Sequence, residues 1–208
     1  TGSFRAVRHA APRRFRATVH YDGSDFAGWQ VQPNVRTVQG EFEAALNRLG
    51  IEARVNAAGR TDAGVHAAGQ EVSFDAAPPW TADEAERALR AVLPDDIWIE
   101  ALCDAEPDFH PRFQATARRY EYYLAHGQSR LAPYRRRGIA AIPSAPDQAR
   151  LRIAAGSILG QHDFSGLSKS GPPDVSPVCT VEKAEWTRTP LGDLRFTVVA
   201  DRFLHRMV

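Results

Sequence analysis

Apolar and polar side chains alternate along Phe15-Arg16-Ala17-Thr18-Val19-His20-Tyr21-Asp22. This period of two predicts a β-strand with one buried face. The next apolar residues, within 38–49, recur at helical spacing and predict an amphipathic helix. Thr37 is placed to cap its first free N–H groups, and Gly50 to form the left-handed turn that ends it.

The rest of the first half extends this strand and helix. The sequence predicts a short strand near Ile51 to Val55, a Gly-rich turn, and a second strand around 72–74. Residues 81–84 have the Thr-x-x-Glu pattern of a capping box, and they open a helix that Pro94 stops. A last strand covers 97–102. The predicted order is β-α-β-β-α-β.

The second half begins in the same way. It predicts a strand over about 116–125, a helix around 151–159, and strands over about 178–186 and 194–200. Residues 203–208 are expected to begin a second helix, and the polar stretch 165–177 to form a flexible surface loop. The pattern is therefore a repeated split β-α-β unit, the second one lacking its last helix and strand.

Composition excludes several classes of protein. The chain has 208 residues, 43% hydrophobic, and carries 26 Lys+Arg against 25 Asp+Glu. No apolar run approaches the roughly 20 residues of a membrane helix. The two cysteines are far apart and the seven histidines scattered, so we expect no disulfide framework and no metal site. Neither a phosphate-binding loop nor a dinucleotide-binding glycine motif is present, so we expect no cofactor.

One loop carries a candidate catalytic group. In the segment 58–66 (Ala-Gly-Arg-Thr-Asp-Ala-Gly-Val-His), Gly59 and Gly64 allow tight turns on both sides of Asp62. Arg60 is two residues away, so in an extended segment its side chain points the same way and favours the ionised carboxylate. An alternative is that Asp62 only satisfies backbone N–H groups in a turn.

This loop resembles the catalytic loop of the pseudouridine synthases, specifically the tRNA pseudouridine synthase A (TruA) family. The resemblance continues from about Phe15 to the last residue, in the family's order. It is carried by the segments 21–30, 37–41, 109–113, 116–122, 160–164 and 203–208. It implies an α+β fold: two related split β-α-β, RNA-recognition-like units share a continuous, mostly antiparallel sheet with helices packed on one side. We expect a disordered or non-native basic arm at 1–14, an N-terminal unit at 15–105 and a C-terminal unit at 106–208.

The resemblance also implies roles for individual residues. Asp62 would be the catalytic aspartate, Tyr120 the aromatic that packs against the target base, and Arg60 the basic partner of Asp62. The reaction detaches uracil from C1′ of a uridine and rejoins it through C5, without a cofactor. Four further residues are expected to contact RNA: Arg112, Arg118, Arg119 and His205. The arginine run 135–137 is a further phosphate-binding candidate.

The implied substrate is tRNA, modified at uridines 38, 39 and 40 of the anticodon stem-loop. The family resemblance implies a homodimer in the cytoplasm, with no membrane or metal partner. One alternative is a non-catalytic RNA-binding protein on the same two units, but such a protein has no need of Asp62. Others are a pseudouridine synthase acting on a different RNA and, more distantly, a metal-dependent nuclease.

Overall fold

A computed structural model of the chain describes residues 11–127, 131–169 and 176–208. They form two compact units, divided between Ala115 and Thr116. Each unit is built on its own sheet, of four strands in the first and five in the second. The predicted α+β class with mostly antiparallel strands is confirmed. None of the helices in these ranges is long and apolar enough to cross a membrane.

The first unit has the predicted order β-α-β-β-α-β, followed by a short helix. Its elements are β1 (Arg13–Tyr21), α1 (Val38–Arg48), β2 (Asn56–Ala57), β3 (Ala67–Ala76), α2 (Ala82–Val92), β4 (Ile97–Ala105) and α3 (Pro111–Gln114). The strands are arranged β2-β3-β1-β4 and all pair antiparallel. β1 is therefore an inner strand, and its alternation follows from one face being buried in the core.

Aromatic side chains from the sheet and from α1 form the centre of this core. Phe15 of β1 and Phe42 of α1 both pack against Phe74 of β3, with ring centroids 5.6 and 6.0 Å apart. All three are at most 1% exposed. Burying a side chain of this size contributes about 1.5–3 kcal/mol relative to exposure, so this trio fixes α1 on the sheet.

The predicted helix ends are confirmed. The Thr37 side chain accepts a hydrogen bond from the Gly40 N–H at the start of α1, and Gly50 beyond its end has φ +73°. At α2, Thr81 and Glu84 form the reciprocal capping box. Each such cap stabilises its helix by about 1 kcal/mol.

The strand predicted near Ile51 to Val55 is wrong, because only Asn56–Ala57 pairs with β3. Ile51 and Val55 are buried, as their apolar side chains suggest. The backbone of Val55, however, bonds to side chains of α1: its N–H donates to Glu43 and its carbonyl accepts from Gln39. A buried segment needs its polar groups satisfied, and helix side chains do so here in place of a strand.

The second unit has the strand order β6-β5-β9-β8-β7. Its elements are β5 (Arg118–His126), β6 (Ala140–Ile142), α4 (Gln148–Ser157), β7 (Gly160–Asp163), β8 (Val178–Arg188) and β9 (Leu194–Ala200). Only β6 pairs parallel, with β5. The core lies around Phe164, Val181 and Val198. The short strands β6 and β7 were not predicted from the sequence.

The described strands form two hydrogen-bonded sheets, one in each unit. At the outer edge of β4, side chains of α2 already occupy backbone groups. Arg90 donates to the carbonyls of Ile99 and Glu100 at 2.9 and 2.8 Å, and Glu86 accepts from the Leu102 N–H at 2.7 Å. Side chains of α2 thus satisfy backbone groups at this edge within the first unit.

Two further expectations need correction. Residues 203–208 do not form a helix: Met207 N–H bonds to the Leu204 carbonyl in a single turn, and Arg206 has φ +62°, which helical continuation does not allow. β1 begins at Arg13, so the last part of the predicted basic arm belongs to the sheet. Residues 1–10 of that arm lie outside the described residues. So do 170–175 of the predicted loop 165–177, of which Ser165–Leu167 forms a 3₁₀ turn.

Candidate active site

The loop that carries Asp62 connects β2 to β3. Its first residues lie along β3, where the Ala58 N–H donates to the Glu71 carbonyl at 2.9 Å and the Gln70 side chain donates to the Gly59 carbonyl at 2.6 Å. The Asp62 carbonyl then accepts from the Val65 N–H at 3.2 Å, which closes a turn. Asp62 itself is exposed. A ligand can therefore approach its carboxylate from solvent.

A second segment, residues 21–29, supports this loop; we call it the support segment. The Trp29 N–H donates to the Thr61 carbonyl at 3.0 Å, and the Tyr21 and Thr61 hydroxyls are hydrogen-bonded at 2.8 Å. The rings of Tyr21 and Trp29 are buried in the core, with centroids 6.0 Å apart. The residue directly before Asp62 is thus held through both its backbone and its side chain.

Two glycines let the support segment approach the loop. A Cβ at Gly28, where φ is +104°, would lie 2.8 Å from the Thr61 carbonyl oxygen and 3.3 Å from the Asp62 carbonyl carbon. A Cβ at Gly23 would lie 2.1 Å from the Val65 carbonyl oxygen. Both distances are shorter than a normal contact, so any side chain at either position would push the loop away.

The support segment also holds the far side of the loop. The Gly64 N–H donates to the Phe26 carbonyl at 3.3 Å, and the Gly23 N–H donates to Nδ1 of His66 at 3.3 Å. The Asp22 carboxylate lies 3.1 Å from the same His66 nitrogen. Contacts on both sides of Asp62 restrict the positions that its backbone can take.

The support segment is itself anchored by Arg36 and Asp96. The Asp22 N–H donates to the Asp96 carbonyl at 3.0 Å. Arg36 donates to both carboxylate oxygens of Asp96, at 2.5 and 2.9 Å, and its guanidinium lies 4.2 Å from the centre of the Phe26 ring. The hydrogen bonds to Asp96 raise the pKa of Arg36, despite its partial desolvation. Arg36 therefore stays charged and fixes the turn.

Of the residues predicted from the sequence, Arg60 and Asp62 lie in this one loop, and both are exposed. Tyr21, Trp29 and His66 were not identified from the sequence as parts of the site. Tyr21 and Trp29 lie in the segment 21–30 and His66 ends the segment 58–66, and both segments carry the family resemblance without indicating these contacts.

Tyr120 belongs to the second unit. It lies on β5 opposite Val198 of β9 and is half-buried. Its ring meets the Phe203 ring edge-on, with centroids 4.9 Å apart and planes at 80°. Edge-to-face pairs of this kind are favourable and restrict the ring orientation.

Backbone contacts order the segment that carries Phe203. The Arg118 guanidinium donates to the Asp201 carbonyl at 2.7 Å, and the Asp201 carboxylate accepts from the Thr180 N–H at 2.9 Å. Further along, the His205 carbonyl accepts from the Lys169 N–H at 3.0 Å. Arg118, predicted to contact RNA, therefore has a structural contact within this unit.

The other predicted RNA contacts are spread over both units. Arg112 is the second residue of α3 in the first unit and is exposed, its guanidinium 5.9 Å from the centre of the Phe113 ring. Arg119 and His205 are exposed in the second unit. Arg119 pairs with Glu121. The pKa of Glu121 is lowered, chiefly by the hydrogen bond from Tyr123 and then by Arg119.

The arginine run 135–137 divides into two kinds of residue. Arg135 donates to the Asp193 carboxylate at 2.5 Å, and Asp193 is only 6% exposed. Arg136 and Arg137 are exposed. No group of three or more His, Cys, Asp or Glu side chains suited to a metal ion is found among the residues that the structure describes.

Comparison with known proteins agrees with these features. A family model described as tRNA pseudouridine synthase matches residues 17–114 and 154–208. The chain is 39% identical over 198 residues to tRNA pseudouridine synthase A of Fervidobacterium nodosum, covering 94% of this chain and 80% of the relative. The enzyme of the same name from Chlorobium luteolum is 40% identical over 200 residues, covering 94% and 77%. That from Listeria welshimeri is 35% identical over 197 residues, covering 94% and 79%. The chain belongs to the tRNA pseudouridine synthase family, isomerases that convert uridine in tRNA to pseudouridine.

Proposed function

We propose that this protein converts uridines 38, 39 and 40 of the tRNA anticodon stem-loop to pseudouridine, with Asp62 as the catalytic group and without a cofactor. The observation that carries the proposal is the geometry of the Asp62 loop. An exposed carboxylate stands on a backbone held on both sides by the support segment. Relatives at 35–40% identity are named tRNA pseudouridine synthase A, which supports the choice of substrate.

The chemistry needs one accessible carboxylate. The bond from C1′ to N1 of uracil breaks, the base turns, and a bond from C1′ to C5 forms. C5 loses its proton and N1 gains one, so the product is an isomer of the substrate. A carboxylate can serve this reaction as a nucleophile or as a base at the sugar. The target nucleotide must leave its stack, at a cost of a few kcal/mol.

Tyr120 and Arg60 are proposed to offset part of that cost. The Tyr120 ring is restricted by Phe203, so little conformational freedom is lost when a base packs against it. Stacking on an aromatic side chain is worth about 1–3 kcal/mol per base. Arg60 is exposed in the same loop as Asp62, and its positive charge is suited to contact the RNA backbone.

Tritium release from an anticodon stem-loop labelled with 5-[³H]uridine tests the proposal, because the C5 proton is lost to water. We expect release with the parent protein and none above background with Asp62→Asn. Affinity for tRNA, measured by filter binding, should stay within a few-fold. Turnover by Asp62→Asn would refute the catalytic assignment, and loss of its thermal unfolding transition would favour a turn-forming role.

Substrate position and assembly are tested separately. Stem-loops with a single labelled uridine at position 38, 39 or 40 should each release tritium; release only from another RNA would favour the alternative synthase. We further propose a cytoplasmic homodimer, for which sedimentation should give twice the chain mass. Substituting Arg112, Arg119 or His205 by Ala should weaken tRNA binding without lowering kcat, and loss of either arginine should also reduce the salt dependence of binding.

A further inference from the structure

We propose that Tyr21 is a positioning residue for catalysis, and that its hydroxyl fixes the Asp62 carboxylate by holding Thr61. The inference rests on the proposed role of Asp62. Tyr21 is the last residue of β1, 40 positions before Thr61 in sequence, and their hydroxyls are 2.8 Å apart.

Tyr21 is suited to this role because its own position is fixed. It pairs with Ala67 of β3 on one side and with Ile97 of β4 on the other, so its backbone lies inside the sheet. Its side chain is 4% exposed and packs near Trp29. A hydroxyl on such a side chain has one stable location and can serve as a reference point for a loop.

Thr61 transmits this fixed position to Asp62. Its carbonyl accepts from the Trp29 N–H at 3.0 Å, while its side chain bonds to Tyr21. The carbonyl belongs to the peptide group that joins Thr61 to Asp62. Holding that group and the Thr61 side chain together restricts rotation about the Thr61 backbone, and with it the direction in which the Asp62 side chain leaves the loop.

Removing the Tyr21 hydroxyl should affect the rate of the reaction more than the affinity for RNA. Without the Tyr21 hydroxyl, the Trp29 contact remains, but Thr61 can rotate and the Asp62 carboxylate samples more positions. A displacement of about 1 Å in a reacting group can cost on the order of 10²-fold in rate. A partial loss of order should therefore lower kcat by about 10-fold, while groups that bind the rest of the tRNA are untouched.

Four variants test this in the tritium-release assay at saturating RNA. We expect Tyr21→Phe and Thr61→Val each to lower kcat by about 10-fold, with KM and tRNA Kd within two-fold of the parent. The double variant should be no slower than the slower single one, since both remove the same hydrogen bond. Thr61→Ser keeps the hydroxyl and should retain most of the activity.

A control separates positioning from general stability. Thr81→Ala removes the cap of α2, far along the chain from the loop, and should lower the unfolding midpoint while leaving kcat unchanged. Tyr21→Phe with kcat within two-fold of the parent would overturn the inference, as would rate losses that multiply in the double variant. Asp62→Asn in the same assay distinguishes failure of the Tyr21 inference from failure of the proposed function: if Asp62→Asn stays active, the proposed function itself has failed.

Discussion

Replacing Gly28 by Ala should damage both the stability of the first unit and the rate of the reaction. The new Cβ would lie 2.8 Å from the Thr61 carbonyl oxygen, whereas ordinary contacts begin at 3.4 Å. That oxygen must therefore retreat by about 0.6 Å, and the same oxygen accepts the Trp29 N–H at 3.0 Å. The substitution therefore weakens the hydrogen bond from the Trp29 N–H, because the Thr61 carbonyl that accepts it has to move.

Two contributions make up the expected stability loss. A non-glycine residue at φ +104° costs about 1–3 kcal/mol in backbone strain. Weakening the Trp29 hydrogen bond adds about 0.5–1.5 kcal/mol. The free energy of unfolding should therefore fall by about 2–4 kcal/mol. Because the displaced peptide group leads into Asp62, we also expect kcat to fall by about 10-fold.

Gly50→Ala is the matched control. Gly50 also has a positive φ, +73°, but nothing lies within 4 Å of the place where its Cβ would stand. This variant should lose about 1–2 kcal/mol through strain alone and keep its kcat. Equilibrium unfolding in urea and tritium release measure the two quantities. If the kcat of Gly28→Ala stays within two-fold of that of Gly50→Ala, the close approach at Gly28 does not position Asp62 and the reasoning is refuted.

Three further predictions concern other parts of the fold. Gln39 is 3% exposed and its side chain donates to the Val55 carbonyl. Gln39→Leu should therefore lower the free energy of unfolding, measured in urea, by about 2–4 kcal/mol, and a loss below 0.5 kcal/mol would contradict this. The pKa of Glu121 is lowered in the fold, so its contribution to stability is present above the unfolded pKa and is lost as pH falls through the folded one. The stability difference between the parent and Glu121→Gln should therefore shrink below about pH 4; a constant difference would exclude this linkage. Burial raises the pKa of Cys179 while Cys103 is exposed, so iodoacetamide should add one label, at Cys103, in the folded protein and two in urea.

The elements that could be predicted from the sequence are those whose signals are local. In β1 the alternation reflects one buried face, and in α2 the capping box lies within four consecutive residues. Neither depends on knowing which distant segment packs against it. The same holds for Gly50, whose position after an apolar helical pattern indicated the left-handed turn.

The wrong predictions concern segments whose conformation depends on distant partners. Ile51 and Val55 have the apolar side chains of a strand, but Gln39 and Glu43 bind the Val55 backbone in place of a neighbouring strand. The arginines at 135–137 are equivalent in the sequence. Which of them pairs with an acid could not be predicted either: only the fold brings the buried Asp193 against Arg135, while Arg136 stays exposed.

The candidate site likewise contains residues with a local sequence signal and contacts that depend on distant segments. Asp62 and Arg60 could be proposed from the sequence because their motif is contiguous and resembles that of a known family. The support segment carried part of the family resemblance, but its contacts with the loop could not be predicted, since a glycine shows that a backbone can approach something closely but not what it approaches. Gly28 meets Thr61 across 33 positions of chain, and that pairing depends on how β1, α1 and β3 are arranged.

The contacts around Asp62 reconcile two requirements that usually conflict. In its proposed role the Asp62 carboxylate must reach the sugar of an extruded nucleotide and has to be exposed, yet exposed loop residues are ordinarily mobile and imprecise. In this loop the contacts with the support segment are made by Thr61, Gly64 and His66, which lie on either side of Asp62 in the sequence. The residues on either side of Asp62 thus order the loop, while the Asp62 residue itself stays exposed. It follows that substitutions in the support segment should slow the reaction at unchanged RNA affinity, and substitutions of exposed arginines such as Arg112 should do the reverse.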